Sequence, residues 1–326
     1  MASSGKNKRN LIMCATPLQM LIAKKIIDLF PNEEFDLLVV ALNNNKKYQY
    51  YYTNLKKSCV KTLYYIPRKG IFSFFDYIYH LKINKFKFDY SKYFLASIDS
   101  RHFQYILSHT TNPSIYTFDD GTANINYNSI FYKHLPISKI KKILWKLFGV
   151  KYYIEDIKLL SILHYTLYED FPNIVKNIKY IKLYSNSGNN NNNIKKSIKI
   201  YLGQPLNEVL PEFNSNMLVT CLNSLNIDYY FPHPREKYNL NLKEIKYIKT
   251  SLIFEDYIIN YLKQNPDTQV EIFSFISTAI LNVKDLERVK VYYIYNREAL
   301  KEFKDFYSFI SKNFSVKILN INDEGV

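Results

Sequence analysis

Short apolar runs of strand length alternate with longer segments of helical period along most of this chain, and that alternation restricts the fold more than any other feature. Asn10 to Ala15, Phe35 to Ala41, Thr62 to Ile66, Tyr93 to Ala96 and Ile115 to Phe118 read as strands. Between them Thr16-Pro17 opens a helix through Leu29, with Pro in its first turn, and further helices follow over Lys47 to Lys57, Phe72 to Ile83 and Ser100 to His109. Strands separated by helices form βαβ units and a mostly parallel sheet. The second half repeats the pattern. Lys199 to Leu202, Asp228 to Phe231 and Gln269 to Ser274 read as strands, with helices over Asn214 to Leu225, from Phe254-Glu255-Asp256, and from Ala279 after Ser277-Thr278. A final αβ unit, Val289 to Ile321, completes the second sheet or returns to the first domain. The 326 residues suit two domains of about 150 each. The expected fold class is therefore α/β, two Rossmann-like domains facing each other across a cleft. The boundary is placed near Tyr153, giving domains 1–153 and 154–326, because Leu160 to Tyr168 reads as a new strand.

Several function classes fall away on composition. Seven glycines, Gly5, Gly70, Gly121, Gly149, Gly188, Gly203 and Gly325, leave no G-x-G-x-x-G or Walker A pattern, which disfavours simple dinucleotide and P-loop chemistry. Cys14, Cys59 and Cys221 are too few and too scattered for a disulfide framework or a zinc site, and fit a reducing cytoplasm. The apolar run after the basic segment Met1 to Arg9 is broken by Thr16, Pro17, Gln19, Lys24 and Lys25, so it reads as neither signal peptide nor membrane span. The net charge of +15 attracts polyanions, anionic lipid and phosphorylated substrates. Its lysines are spread through every segment without a nucleic-acid-binding signature, so no nucleic-acid partner is expected. From Ile137 to Phe148 apolar residues recur at helical spacing opposite Lys139, Lys141, Lys142 and Lys146. This basic amphipathic helix packs on the core, contacts an anionic membrane surface, or does both. The asparagine run Asn189 to Asn193 carries no apolar periodicity and reads as a flexible loop.

The chemistry-bearing residues stand at strand ends. Tyr116-Thr-Phe-Asp-Asp-Gly121 is an apolar run that stops at two carboxylates and a glycine. In an open α/β sheet the loops beyond the strands' carboxyl ends form the ligand crevice. Adjacent residues on extended backbone point oppositely, so one of Asp119 and Asp120 faces the crevice while the other turns away; the pair is also compatible with an ordinary Asp-Asp-Gly turn. Pro232-His233-Pro234 fixes the backbone around a histidine at the end of a strand, which suits a positioned donor. Glu255 opens a helix, where an acid is stabilised by the dipole. Ser277 and Thr278 offer hydroxyls and a helix N-terminus to an anion, besides their capping role.

Taken in order, Cys14-Ala-Thr-Pro-Leu-Gln19, Phe118-Asp-Asp-Gly-Thr-Ala-Asn-Ile125, Gly203-Gln-Pro205, Phe231-Pro-His-Pro-Arg235, Glu255 and Ser277-Thr278 resemble the bacterial sialyltransferases of glycosyltransferase family 52, which act on lipooligosaccharide or capsular glycans. The resemblance runs from about Asn10 to about Ile310 and implies a GT-B fold, a CMP-sialic acid donor, inversion at the anomeric carbon, no metal and no cofactor. By family position Asp120 is the general base, with Asp119 the second candidate. His233 donates to the departing CMP phosphate with Ser277 and Thr278, and Glu255 accepts from the ribose hydroxyls. Gly203, Gln204 and Pro234 complete the donor side; Thr16, Gln19, Asp119 and Asn124 are assigned to the acceptor cleft. The partners implied are CMP-sialic acid, a galactose-terminated glycan, the inner face of the cytoplasmic membrane and a second copy of the chain. Thr278 stands where a second serine is common. A related enzyme with another nucleotide-sugar donor is the alternative; a basic membrane-surface scaffold without catalysis leaves the Asp, His and Ser-Thr loops unexplained.

Overall fold

The computed structural model describes residues 8–68, 70, 72–133, 139–184, 194–210 and 213–321. The chain divides into two compact units, Met1–Tyr184 and Ser185–Val326.

The first unit holds β1 (Asn10–Cys14), β2 (Phe35–Val40), β3 (Lys61–Tyr65), β4 (Tyr93–Leu95), β5 (Ile115–Phe118), β6 (Ser161–Thr166) and β7 (Ile178–Tyr180). They form one sheet in the order β3-β2-β1-β4-β5-β6-β7, every pairing parallel. β1 and β2 are buried along their whole length, because helices cover both faces of such a sheet and its central strands become continuous apolar runs. Thr16 caps the helix Pro17–Asp28 by accepting from the Gln19 amide at 3.3 Å, which fixes the angle at which that helix leaves β1. The strand order reverses between β1 and β4. That is a topological switch point, where the connections diverge to opposite faces and leave a crevice at the strands' carboxyl ends.

The expected boundary near Tyr153 is corrected. Ser161–Thr166 is a strand, as its sequence suggests, but it pairs with β5 and carries β7 on its other edge, so the first sheet continues through residue 180 and the division falls after Tyr184. The basic amphipathic segment forms the helix Lys139–Leu147, with residues 134–138, and so Ile137, outside the described part. Trp145 and Phe148 pack their rings against Phe74 at 4.9 Å each. The asparagine run 189–193 also lies outside the described residues.

The second unit holds β8 (Lys196–Leu202), β9 (Tyr229–Phe231), β10 (Lys246–Tyr247), β11 (Thr268–Ser274), β12 (Val289–Tyr295) and β13 (Lys317–Asn320). Their order is β10-β9-β8-β11-β12-β13, again parallel throughout. This is the doubly wound Rossmann order, with its switch point between β8 and β11. The last αβ unit completes this sheet: β12 pairs with β11, and β13 with β12.

Candidate active site

In the first unit the helix after β1 and the loops after β4 and β5 meet at Asp120. Gln19 Nε2 donates to Asp120 Oδ1 at 2.6 Å, Ser97 Oγ donates to Asp120 Oδ2 at 3.0 Å, and Gln19 Nε2 also reaches Ser97 Oγ at 2.9 Å. Gln19 is held in turn, its Oε1 accepting from the Ala15 amide at 2.6 Å. The Asp120 backbone N–H donates to Asn124 Oδ1 at 2.7 Å. Both ends of the residue are thus fixed, and its carboxylate stands at the switch point of the sheet. Burial raises the Asp120 pKa above the ordinary aspartate value; the Gln19 and Ser97 hydrogen bonds oppose that, while the charges of Asp99 and Asp119 add to it. A carboxylate disfavoured as an anion is a better proton acceptor than a solvated one.

Asp119 does something else, and its assignment to an acceptor cleft is corrected. It is fully buried; Oδ1 accepts from His164 Nε2 at 2.9 Å, and Oδ2 from Thr166 Oγ1 at 2.9 Å and the Leu167 amide at 2.6 Å. His164 Nδ1 is joined to Thr117 Oγ1, and Thr117 Oγ1 to Ser161 Oγ, each at 2.8 Å. This buried polar chain stitches the end of β5 to β6, which satisfies groups that would otherwise be costly to bury. Gln19 and Asn124 are fully buried as well. Gln19 holds the Asp120 carboxylate and Asn124 its backbone N–H. Of the four residues assigned to the cleft, only Thr16 is partly exposed, and its hydroxyl serves as the helix cap.

In the second unit the assigned donor-side residues lie on the loops and first helical turns that follow strands of one parallel sheet. After β9, the Glu236 amide donates to the His233 carbonyl at 3.1 Å and Glu236 Oε1 accepts from the His233 amide at 2.9 Å. That closed turn, between two prolines, fixes the imidazole's base. His233 Nδ1 accepts from the Arg235 amide at 3.2 Å. A ring nitrogen that accepts carries no proton, so in the neutral ring the proton is on Nε2, which becomes the donor. Glu255 is buried in the first turn of the helix Phe254–Gln264 and accepts from Asn282 Nδ2 at 2.8 Å. Asn282 ends the turn that Ser277 and Thr278 open, so Glu255 is tied to the far end of that turn. Pro234 is exposed beside His233.

Two donor-side expectations change in detail. The helix expected at Ala279 is a single 3-10 turn, Thr278–Asn282, capped by Ser277; Ile280, Leu281 and Val283 are all buried, a spacing that turns the chain into the core at once. Gly203 and Gln204 are buried. Gln204 Oε1 accepts from Ser274 Oγ at 3.1 Å and the Ile276 amide at 2.9 Å, tying β8 to β11 across the switch point. A Cβ on Gly203 would sit 2.2 Å from Glu236 Oε1 and 2.7 Å from the Tyr230 hydroxyl. A side chain there would have to displace the carboxylate that holds His233. Gly203→Ala should therefore destabilise the fold by about 1–3 kcal/mol, the usual cost of overpacking, measured by denaturant unfolding; an unchanged midpoint would show that Glu236 has room to move.

Sequence reasoning missed Ser97, Glu236 and Asn282, and left His164 without a motif. Their only local signal is polarity next to an apolar run. Among the described residues no group of three or more His, Cys, Asp or Glu side chains is arranged to hold a metal ion.

The sequence model of glycosyltransferase family 52 matches residues 32–297, a span that contains Asp120 and every assigned donor-side residue. The chain belongs to glycosyltransferase family 52. This family 52 glycosyltransferase is 37% identical over 276 residues to the CMP-N-acetylneuraminate:beta-galactoside alpha-2,3-sialyltransferase of Pasteurella multocida strain Pm70, covering 84% of this chain and 87% of that one. It is 33% identical over 288 residues to an N-acetyllactosaminide alpha-2,3-sialyltransferase of Haemophilus influenzae Rd, covering 87% and 91%. Among solved structures, Arabidopsis thaliana UGT89C1 in complex with UDP-L-rhamnose aligns with a TM-score of 0.55 at 10% identity, covering 97% of this chain and 86% of that one. That likeness is one of fold, and the two Rossmann-like units make this family 52 enzyme a GT-B-type protein.

Proposed function

We propose that the protein is an inverting, metal-independent sialyltransferase that moves sialic acid from CMP-sialic acid to a terminal galactose of a bacterial surface glycan, lipooligosaccharide or capsule. The observation that carries this reading is Asp120, a carboxylate of raised pKa held by Gln19 and Ser97 at the switch point of its sheet, in a chain that is 37% identical to the Pasteurella multocida enzyme.

Asp120 takes the proton from the acceptor hydroxyl as that oxygen bonds to the anomeric carbon. The bond from that carbon to the phosphate oxygen breaks, CMP departs with the electron pair, and one displacement inverts the centre. His233, through Nε2–H, donates to the phosphate as charge develops, with the Ser277 and Thr278 hydroxyls beside it. Glu255 accepts from the ribose. The same reading takes the enzyme to be a homodimer, cytoplasmic and peripheral on the inner face of the membrane, where its positive charge meets anionic lipid.

The test is release of CMP from CMP-sialic acid with lactose as acceptor and EDTA present. Acceptor-dependent, EDTA-resistant release of CMP, with an α-linked product, is expected. Turnover of a different nucleotide sugar in place of CMP-sialic acid would overturn the donor assignment; loss of activity in EDTA, restored by a divalent cation, would overturn the metal-independent mechanism.

A further inference from the structure

Two helices of the first unit each carry an apolar stripe that the core does not use. On the helix Phe72–Ile83, Phe74, Tyr77 and Leu81 are buried, while Phe72, Phe75, Tyr79 and Ile83 are 83%, 56%, 60% and 54% exposed. These four recur at i, i+3, i+7 and i+11, so they form one continuous face. On the helix Lys139–Leu147, Trp145 packs inward while Ile140, Ile143 and Leu147 are 81%, 61% and 80% exposed. Their spacing again makes one face. Phe148 lies against both Phe74 and Phe75, at ring-centroid distances of 4.9 and 5.0 Å, so the helices are side by side and the stripes flank a shared aromatic seam. A patch built from seven large side chains is more than scattered surface hydrophobicity.

Charge identifies the occupant. The sequence of the helix Lys139–Leu147 contains no acid, and Lys142 and Lys146 are exposed at the border of its apolar stripe. Lys82 is exposed one turn from Tyr79 on the neighbouring helix, whose one acid, Asp76, is paired with His80 at 3.5 Å. Large apolar side chains bordered by lysine suit the boundary between acyl chains and anionic headgroups. A second copy of the chain, also at +15, would bring like charge to the same border. Connecting helices in a parallel sheet run back from the strands' carboxyl edge, so the Phe72 end of the patch is toward the edge at which Asp120 stands.

We infer that the face formed by Phe72, Phe75, Tyr79, Ile140, Ile143 and Leu147 docks the protein onto an anionic lipid bilayer, presenting the Asp120 edge to an acceptor carried in that bilayer. This deepens the membrane-bound part of the proposed function and does not depend on the donor being CMP-sialic acid.

The experiment is cosedimentation of the full chain with vesicles of phosphatidylcholine alone and of phosphatidylcholine mixed with an equal part of phosphatidylglycerol. Partitioning onto the mixed vesicles should be at least about tenfold stronger and should weaken with salt. Phe72→Ser with Leu147→Ser, and separately Lys142→Glu with Lys146→Glu, should each reduce it about tenfold, while CMP release with soluble lactose stays at the wild-type rate. Equal binding to both vesicle types, no binding by the wild type, or full binding by both double variants overturns the inference. So does a dimer that Phe72→Ser with Leu147→Ser converts to monomer, which would make the face a contact between copies. The lactose assay reads the transferase reading separately, since its failure leaves vesicle binding unaffected.

Discussion

Asp120→Asn abolishes detectable transfer, lowering kcat/KM by about 10³-fold or more, or ~4 kcal/mol at 1.36 kcal/mol per tenfold. The side chain keeps its shape: the oxygen of the introduced amide can still accept from Gln19, and its nitrogen can donate to Ser97 Oγ. What disappears is the ability to take a proton. The pH dependence gives a second, independent readout. Because the carboxyl pKa is raised above the ordinary aspartate value, chiefly by burial, the wild type loses activity on the acid side at a higher pH than a solvated aspartate would require. Gln19 lowers that pKa through its hydrogen bond, so Gln19→Leu should move the acid limb further up. Stability follows the opposite sign. An acid whose pKa is higher folded than unfolded holds its proton longer in the native state, so stability falls as pH rises from the ordinary aspartate range through the raised value. Asp120→Asn should accordingly unfold at a higher temperature than the wild type at neutral pH. Unfolding monitored at neutral pH beside kcat/KM profiles checks the set; a variant that is inactive because it is misfolded would show a lower transition temperature instead.

That trade-off explains what could be read in the sequence and what could not. The strands of the first sheet are legible because their signal is local: Leu37 to Val40 is an unbroken apolar run on both faces, as a central parallel strand demands. The domain boundary is not legible in the same way, since whether Ser161–Thr166 joins β5 or starts a new sheet is settled by partners 44 to 48 residues away in sequence, Thr117 and Asp119 among them. β7 and β10, of three and two residues, are exposed edge strands with too little pattern to announce themselves. The opposite directions of Asp119 and Asp120 follow from strand geometry alone. Which of them turns inward depends on His164 and Thr166, and no spacing links those to the Asp pair. Gln19 and Asn124 have the residue types that bind sugars, and the same types serve equally well to hold a carboxylate. Only burial separates the two roles.

His233→Ala should cost about 10²- to 10³-fold in kcat with little change in KM for the nucleotide sugar, because charge on the departing phosphate grows mostly in the transition state. The structural grounds lie in the turn, not in the imidazole alone. Pro232 and Pro234 limit the backbone on either side, Glu236 grips the His233 amide, and the Arg235 amide claims Nδ1, so the ring reaches its task already in the Nε2–H form. A donor set in place beforehand needs no reorganisation when the bond breaks. His233→Gln supplies an N–H near the position of Nε2 but lacks the acceptor for Arg235, and should therefore recover part of the rate, lying between the alanine variant and the wild type. Glu236→Ala leaves the imidazole present and frees its base; it should lower kcat about tenfold through misplacement while His233→Ala in that background costs less than it does in the wild type, since residues acting as one unit are not additive. Steady-state kinetics on the wild type, the three single variants and the double variant decides the matter. If His233→Ala raises KM and leaves kcat alone, the histidine binds the ground state of the donor and some other group meets the leaving phosphate; if Glu236→Ala and His233→Ala multiply independently, the turn does not position the ring.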